Sequence, residues 1–290
     1  MECLISGGCG FIGSNLVDRL VEDGHKVIVI DDLSAQANEE FYFNDKADYY
    51  KFDIRDYAKI EPLFKGIDYV FHLAARSRIQ ISMQTPIETA EINFIGTTNI
   101  LEASVKHKVK RVMFSSTSAV YGNNKVPLKE TMYPDCLNQY SASKFGAEMM
   151  AKVYYKLFGL ETIIFRYFNV YGPREPKKGQ YAPIIGLFER QNKAGQPLTI
   201  VGDGKQRRDF THVSDVVEAN IKAMKVKYNP DHCVFNIGTG KNYSIIEIAK
   251  SISDKIKFIP VREGEARETL ADNSEAWEYL GWKPKVKFEL

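Results

Sequence analysis

Tyr140 and Lys144 stand four residues apart in Tyr140-Ser141-Ala142-Ser143-Lys144, and upstream of them an apolar run through Phe114 ends in Ser115-Ser116-Thr117. A tyrosine is a poor base at its ordinary pKa of about 10. A lysine one helical turn along the same face favours the phenolate and draws it toward working range. A hydroxyl at a neighbouring strand end can hold the same substrate oxygen. Spacing alone does not select this pair, because Tyr42/Lys46, Tyr121/Lys125 and Tyr279/Lys283 share it. Tyr121/Lys125 runs through the turn residues Gly122-Asn123-Asn124, Tyr42/Lys46 lies in a polar stretch, and Tyr279/Lys283 spans the Gly281-Trp282 break. Only Tyr140/Lys144 falls on a clear helical pattern that follows a hydroxyl-lined strand end.

The second chemistry-bearing stretch is Leu4-Ile5-Ser6-Gly7-Gly8-Cys9-Gly10-Phe11-Ile12-Gly13. It reads as strand, glycine turn and helix. Gly8, Gly10 and Gly13 match the spacing that lets a backbone approach a pyrophosphate at a helix N-terminus. A second apolar strand, Val27 to Ile30, ends in Asp31-Asp32, at the distance where a carboxylate holds a ribose diol. The pattern predicts a bound dinucleotide, whose oxidised nicotinamide would add to the pull on the Tyr140 phenol.

These groups need a scaffold. Apolar strands at 68–72, 111–115, 161–166 and 233–237 alternate with helical patterns at 87–107, 138–158, 182–194, 214–225 and 244–253. Such alternation predicts an α/β fold with a doubly wound parallel sheet, whose ligands gather at the carboxyl ends of the strands. From 169 the texture changes to a basic loop with Arg174, Lys177 and Lys178. The reading is a dinucleotide domain of residues 1–168 with 207–237, interleaved with a smaller substrate lobe of 169–206 with 238–290. With 290 residues, 44% of them hydrophobic, a large core is available. A net charge of +2 argues against general attraction to nucleic acid or membrane surface. There is no long uncharged apolar run and no leader pattern. Cys3, Cys9, Cys136 and Cys233 lack metal spacing, so the expectation is reduced thiols in the cytoplasm and no metal site.

The chain resembles the extended short-chain dehydrogenases/reductases, specifically nucleotide-sugar epimerases of the NAD-dependent epimerase/dehydratase family. The resemblance rests on the glycine turn, Asp31-Asp32, Asp53-Ile54, His72-Leu73-Ala74-Ala75, Asn93 and the Tyr140–Lys144 segment. It continues through Arg166 to Pro173, Arg208 to Asp215, Arg262 to Glu265 and Leu280 to Pro284. It implies a Rossmann-type domain that holds NAD through Gly7, Gly10, Phe11, Ile12, Gly13, Asp31 and Asp32. Asp53 and Ile54 would meet adenine, Leu73, Ala74 and Ala75 the cofactor backbone, and Phe168 the nicotinamide. Thr117, Tyr140 and Lys144 match the catalytic positions. Asn169, Arg208, Arg262 and Glu265 match the sugar-nucleotide site, with guanidinium groups suited to a diphosphate.

The resemblance also implies a subclass. Family dehydratases carry an acidic pair directly after the active-site threonine, and decarboxylases usually a glutamate in the second position; here Ser118 and Ala119 stand there. That leaves C4 epimerisation of a UDP-linked hexose or N-acetylhexosamine, or a 4-keto-sugar reductase, or a non-catalytic NAD-binding protein. Asp31 disfavours a 2′-phosphate and so an NADP-dependent reductase. The intact Tyr140/Lys144 pair disfavours the non-catalytic reading. Thr269, a small residue at the family position that gates the C2 substituent, leaves room for an N-acetyl group. His72 and His212 read as packing or hydrogen-bonding residues, and Asn93 as a bridge to neighbouring loops. Met149, Met150, Tyr154 and Tyr155 make the 138–158 helix apolar on more than one side, and in the family this helix and the 87–107 helix form a homodimer interface.

Overall fold

The first strand is buried along nearly its whole length, as a parallel strand covered on both faces must be: Cys3, Leu4, Ile5 and Ser6 are all inaccessible. The computed structural model describes residues 1–35, 40–176 and 183–288. In chain order, its first part comprises β1 (Glu2–Ser6), α1 (Phe11–Glu22), β2 (Lys26–Ile30), β3 (Asp48–Tyr50), α2 (Tyr57–Ile60), β4 (Tyr69–His72), α3 (Ile79–Gln84), α4 (Pro86–Ala90), α5 (Thr97–Lys106), β5 (Arg111–Thr117), α6 (Gln139–Phe158) and β6 (Glu161–Tyr167). The second comprises β7 (Val170–Tyr171), α7 (Ile184–Lys193), β8 (Leu198–Val201), β9 (Arg207–Asp209), β10 (Thr211–His212), α8 (Val213–Lys225), β11 (Val234–Ile237), β12 (Asn242–Ser244), α9 (Ile245–Ile252), β13 (Ile256–Ile259) and α10 (Ser274–Leu280).

Seven strands form one parallel sheet in the order β11-β6-β5-β4-β1-β2-β3. The order reverses direction between β1 and β4, and it is at such a switch point that a doubly wound sheet opens a crevice for ligand. One face is covered by α1 and α8, with Leu16, Leu20, Val216 and Ile221 in the core. The other is covered by α2, α5 and α6, with Ile60, Ile100, Leu101, Ala147 and Ala151. A separate apolar cluster (Phe188, Leu198, Ile200, Phe210, Ile245, Ile248) holds the second lobe, in which β8 pairs with β13 and β9 with β12.

Three features differ from the sequence reading. The helix expected at 87–107 is helical throughout but not uniform: Glu91–Gly96, between α4 and α5, winds as a π-turn. This widened turn holds Asn93, whose Oδ1 accepts from the Arg76 N–H (2.8 Å) and whose Nδ2 donates to Arg76 O (3.1 Å) and Ser143 Oγ (3.0 Å). Such turns recur where a side chain must be re-aimed toward a site. Second, the lobe division shifts. β9 is paired with β12 of the second lobe, whereas Ala276 and Leu280 of α10, followed by Trp282, return to the core beneath the main sheet. Trp282, wholly inaccessible, donates its indole N–H to Asp215 O at 2.8 Å, and the Lys285 and Val286 N–H groups donate to the Asp215 carboxylate at 3.0 Å each, so Asp215 anchors the tail as it crosses. Third, α7 begins at Ile184; Lys177, Lys178 and Ala182 lie outside the described residues.

Candidate active site

The glycine turn is shaped by two different demands. A Cβ at Gly13 would lie 2.1 Å from Gly7 O, so the close packing of α1 on the turn requires glycine there. Gly7 itself has φ +77°, and a Cβ on it would meet Ala74 N at 2.6 Å. At Gly10, by contrast, a Cβ would meet nothing nearer than Gly7 O at 3.5 Å. The protein leaves that space free at the N-terminus of α1, where no side chain caps the helix and no acid occupies the first turn. Bare N–H groups and the positive end of the helix dipole face an opening fit for an anion.

Asp31, at the end of β2, accepts from the N–H groups of Cys9 (3.0 Å) and Leu33 (2.9 Å). Burial pushes its carboxyl upward, and these two bonds hold it back toward the ionised form. A carboxylate so placed retains acceptor capacity for a ribose diol. The turn, the open Gly10 and Asp31 therefore fit a dinucleotide.

From this turn a cavity of about 830 Å³ runs past the ends of β4 and β5 into the second lobe. Gly7, Gly10, Phe11, Ile12, Gly13, Asp31, Asp32 and Ile54 line its first part. Leu73, Ala74, Ala75, Thr117, Tyr140 and Lys144 line its middle, and Asn169, Arg208, Arg262, Glu265 and Thr269 its far end. Two expected residues are not in its wall. Phe168 is fully buried behind the site, packed among Val120, Tyr121, Leu128 and Ala271; its backbone N–H is tied to Ile237 O at 3.0 Å, and its ring continues the core rather than the crevice. The Asp53 carboxylate is held by Arg55 at 2.6 Å, and Ile54 alone of that pair lines the cavity.

The central triad is positioned by α6. Asn138 Oδ1 accepts from the Ser141 N–H (2.8 Å) while Ser141 Oγ accepts from the Asn138 N–H (3.4 Å), a reciprocal cap that fixes the first turn. Ser82 Oγ of α3 accepts from the Tyr140 N–H at 3.1 Å. Tyr140 thus occupies the second helical position and Lys144 the next turn of the same face. Burial raises the Tyr140 pKa; the nearby Thr117 hydroxyl and the charge of Arg78 oppose that rise. Lys144 is 2% exposed, with its Nζ 4.3 Å from the Phe114 ring centre. Burial pulls its pKa down to about 7, against the attraction of Glu148. Glu148 is itself locked by Arg166 (2.7 Å) and by the Ser116 hydroxyl, a buried ion pair that anchors α6 to β5 and β6. His72 is neutral and structural, bonded to Ser6 Oγ (2.6 Å) and Thr97 Oγ1 (2.8 Å).

At the far end, Arg208 pairs with Glu265 at 3.7 Å and donates to Arg207 O at 3.0 Å. Burial lowers its pKa, so an incoming anion is favoured there. Asn169 donates to Asp209 O (3.0 Å) and Thr269 Oγ1 (3.2 Å), which fixes its amide beside the cavity. Arg174 of the basic loop is not in the wall: it pairs with Asp18 at 2.6 Å and lies over the Tyr42 ring. Three charged lining residues escaped the sequence reading, Arg76, Arg78 and Glu175. The signal for Arg78 was available, since Arg76-Ser77-Arg78 directly follows the strand-end run Leu73-Ala74-Ala75. Glu175 lay in a loop read only for its cations. Among the described residues, no group of three or more His, Cys, Asp or Glu side chains is arranged to hold a metal ion, and no helix is long and apolar enough to cross a membrane.

Comparison with known proteins agrees with this geometry. A putative UDP-glucose 4-epimerase of Methanocaldococcus jannaschii is 38% identical over 98% of this chain and 93% of its own length. A UDP-N-acetyl-alpha-D-glucosaminuronate decarboxylase of Bacillus cytotoxicus is 41% identical over 89% of this chain and 83% of its own. The crystal structure of UDP-glucose 4-epimerase with UDP-glucose from Thermotoga maritima superposes with a TM-score of 0.93 at 38% identity, covering 99% of this chain and 94% of that one. Residues 3–238 match the NAD dependent epimerase/dehydratase family, and the chain belongs to it.

Proposed function

We propose that this protein epimerises C4 of a UDP-linked hexose or N-acetylhexosamine, using bound NAD. The observation that carries the reading is one cavity joining the glycine turn to Arg208 and Arg262, with Tyr140, Thr117 and Lys144 between them and Ser118 and Ala119 beside Thr117. Neither Ser118 nor Ala119 can supply the acid and base that water elimination needs, and Ala119 cannot take the part of a decarboxylase glutamate.

When bound, NAD supplies the capacity to take a hydride from C4 and to return it. The chain does the rest. Gly7 to Gly13 and Asp31 would hold the dinucleotide, with Lys144 at the nicotinamide ribose. The Tyr140 phenolate takes the 4-hydroxyl proton and later gives it back, so no proton is gained or lost over the cycle. Thr117 holds the same oxygen. Arg208 and Arg262 anchor the diphosphate by charge-assisted hydrogen bonds, which leaves the hexose free to present either face of C4.

We further infer a homodimer in the cytoplasm. Ile87 and Ile95 on the α4 to α5 run, and Met149, Val153, Leu157 and Phe158 on α6, are exposed apolar side chains on packed neighbouring helices. All four cysteines are free, which suits a reducing compartment and is checked by cell fractionation.

The test is incubation of the purified, NAD-retaining protein with UDP-glucose, UDP-galactose, their N-acetylamino counterparts and UDP-glucuronate, with products resolved by chromatography. The expected product is the C4 epimer of unchanged mass. Tyr140→Phe should lower the rate by about 10²- to 10⁴-fold while NAD is retained. A folded, NAD-bound protein that leaves every sugar unchanged would refute the assignment.

A further inference from the structure

Arg78 lies on the loop between β4 and α3 and lines the cavity. It has no hydrogen bond or ion pair among the described residues, and the undescribed stretch 177–182 contains no Asp or Glu. Its neighbours show how unusual this is. Arg76, two residues earlier, pairs with Glu88, and Arg208 pairs with Glu265. The ionisable groups that act on Arg78 are the Tyr140 phenol and the Glu175 carboxyl. Glu175 does not neutralise it: its two oxygens accept from the N–H groups of Gly172 (3.4 Å) and Gly186 (3.3 Å), and burial pushes its carboxyl up to about 7. The Arg78 guanidinium is half-buried and opens on the cavity with no carboxylate beside it, so its donors are free to receive an anionic ligand.

The other two anions of the proposed reaction have their own receivers. The open N-terminus of α1 suits the dinucleotide pyrophosphate, and Arg208 with Arg262 suits the sugar diphosphate. Arg78 directly precedes α3, whose Ser82 Oγ accepts from the Tyr140 N–H at 3.1 Å, whereas Arg208 lies on β9 of the second lobe beside Glu265, so the two mark separate points of the cavity wall. Arg78 is the cation on the Tyr140 side. Tyr140 must meet the 4-oxygen, and the carbon next to C4 in the ring bears the exocyclic C6. Its fork of donors matches a planar carboxylate in paired fashion.

We propose that Arg78 reads the sugar: the preferred substrate is a nucleotide-linked hexuronate, whose C6 carboxylate pairs with the Arg78 guanidinium. This rests on the C4-epimerase reading and names its substrate class. The reaction remains an isomerisation, in which hydride and proton leave C4 and its oxygen and return, and the carboxylate is retained.

The experiment compares UDP-glucuronate with UDP-glucose, which lacks the carboxylate, in the NAD-retaining protein and its Arg78→Ala and Arg78→Lys variants. The unmodified protein should favour UDP-glucuronate in kcat/KM. Arg78→Ala should lower that value for UDP-glucuronate by about 30- to 100-fold, chiefly through KM. UDP-glucose should lose only what the Arg78 charge contributes to the Tyr140 phenol, a loss common to both sugars and at least about tenfold smaller than that on UDP-glucuronate, and Arg78→Lys should recover part of each. Equal losses on both sugars would mean that Arg78 serves the phenol, and would overturn the proposal. So would loss of NAD from Arg78→Ala during purification, read from the 260/280 nm absorbance ratio, because the partner would then be a cofactor phosphate. Dissociation constants in a Tyr140→Phe background separate the two readings. If no sugar is epimerised but UDP-glucuronate binds more tightly than UDP-glucose in an Arg78-dependent way, the epimerase reading fails and the Arg78 assignment stands. Equal binding of the two sugars removes the Arg78 assignment alone. Formation of a UDP-pentose would uphold Arg78 as the carboxylate reader and replace epimerisation with decarboxylation.

Discussion

Lys144 makes the active site a measurable burden on the cofactor-free fold. Its pKa falls from 10.5 in the open chain to about 7 in the folded protein, chiefly by burial. Between those values the unfolded chain holds a proton that the folded protein has released, so folding expels a proton and stability rises with pH across that window. Below about pH 7 both states are charged, and the folded state bears the full cost of the buried ammonium, about 5 kcal/mol for a displacement of this size. At pH 9 the remaining cost is about 2 kcal/mol. Lys144→Met keeps the length of the side chain over the Phe114 ring and removes the charge. In cofactor-stripped protein, urea unfolding should therefore find the variant more stable by about 5 kcal/mol at pH 6 and about 2 kcal/mol at pH 9, with turnover abolished. Any packing change from the methionine enters equally at both pH values, so the narrowing of the gap is the diagnostic quantity. A gap independent of pH, or a variant less stable at pH 6, would refute the claim that the site stores this cost in Lys144.

The glycine turn permits a paired test. Gly13→Ala places a methyl group 2.1 Å from Gly7 O; the expected result is a loss of about 1–3 kcal/mol in urea unfolding together with loss of NAD. Gly10→Ala meets no protein atom nearer than 3.5 Å, so stability should hold while NAD retention falls, and full retention would show that no pyrophosphate approaches there. For the assembly, Leu157→Asp on the exposed stripe of α6 should yield a monomeric mass by light scattering at micromolar concentration, against a dimeric mass for the unmodified chain. A monomer in both would remove the homodimer.

What could be read from the sequence was what depends on neighbours along the chain. The Gly7–Gly13 turn, Asp31 at the end of β2, and Tyr140 and Lys144 one turn apart are local patterns, and strand-helix alternation determines at which end of the sheet they meet. What could not be read depends on tertiary direction. Phe168 immediately precedes Asn169 of the cavity wall, yet the end of β6 turns its ring into the cluster around Tyr121, and no spacing rule reports that turn. Asp53 lies outside the cavity wall with its carboxylate paired to Arg55, two residues away. Trp282 belongs to the main core although it lies far beyond β11 in sequence, because a buried ring and the hydrogen bonds of Trp282, Lys285 and Val286 to Asp215 outweigh proximity along the chain.

Arg78 illustrates the same limit from the other side. In the sequence Arg76 and Arg78 follow the same strand end, and nothing there separates one from the other. The difference arises only when Glu88 on α4 reaches Arg76 and Glu175 is occupied by two backbone N–H groups, leaving one cation answered and the other not. Site chemistry that resides in a motif can be carried from relative to relative by sequence. Site chemistry that resides in a missing partner is visible only after every acid in reach has been accounted for. In this fold that distinction separates the proposed machinery of Tyr140, Thr117 and Lys144, which would act at C4 whatever the sugar, from the group proposed to decide which sugar is brought to it.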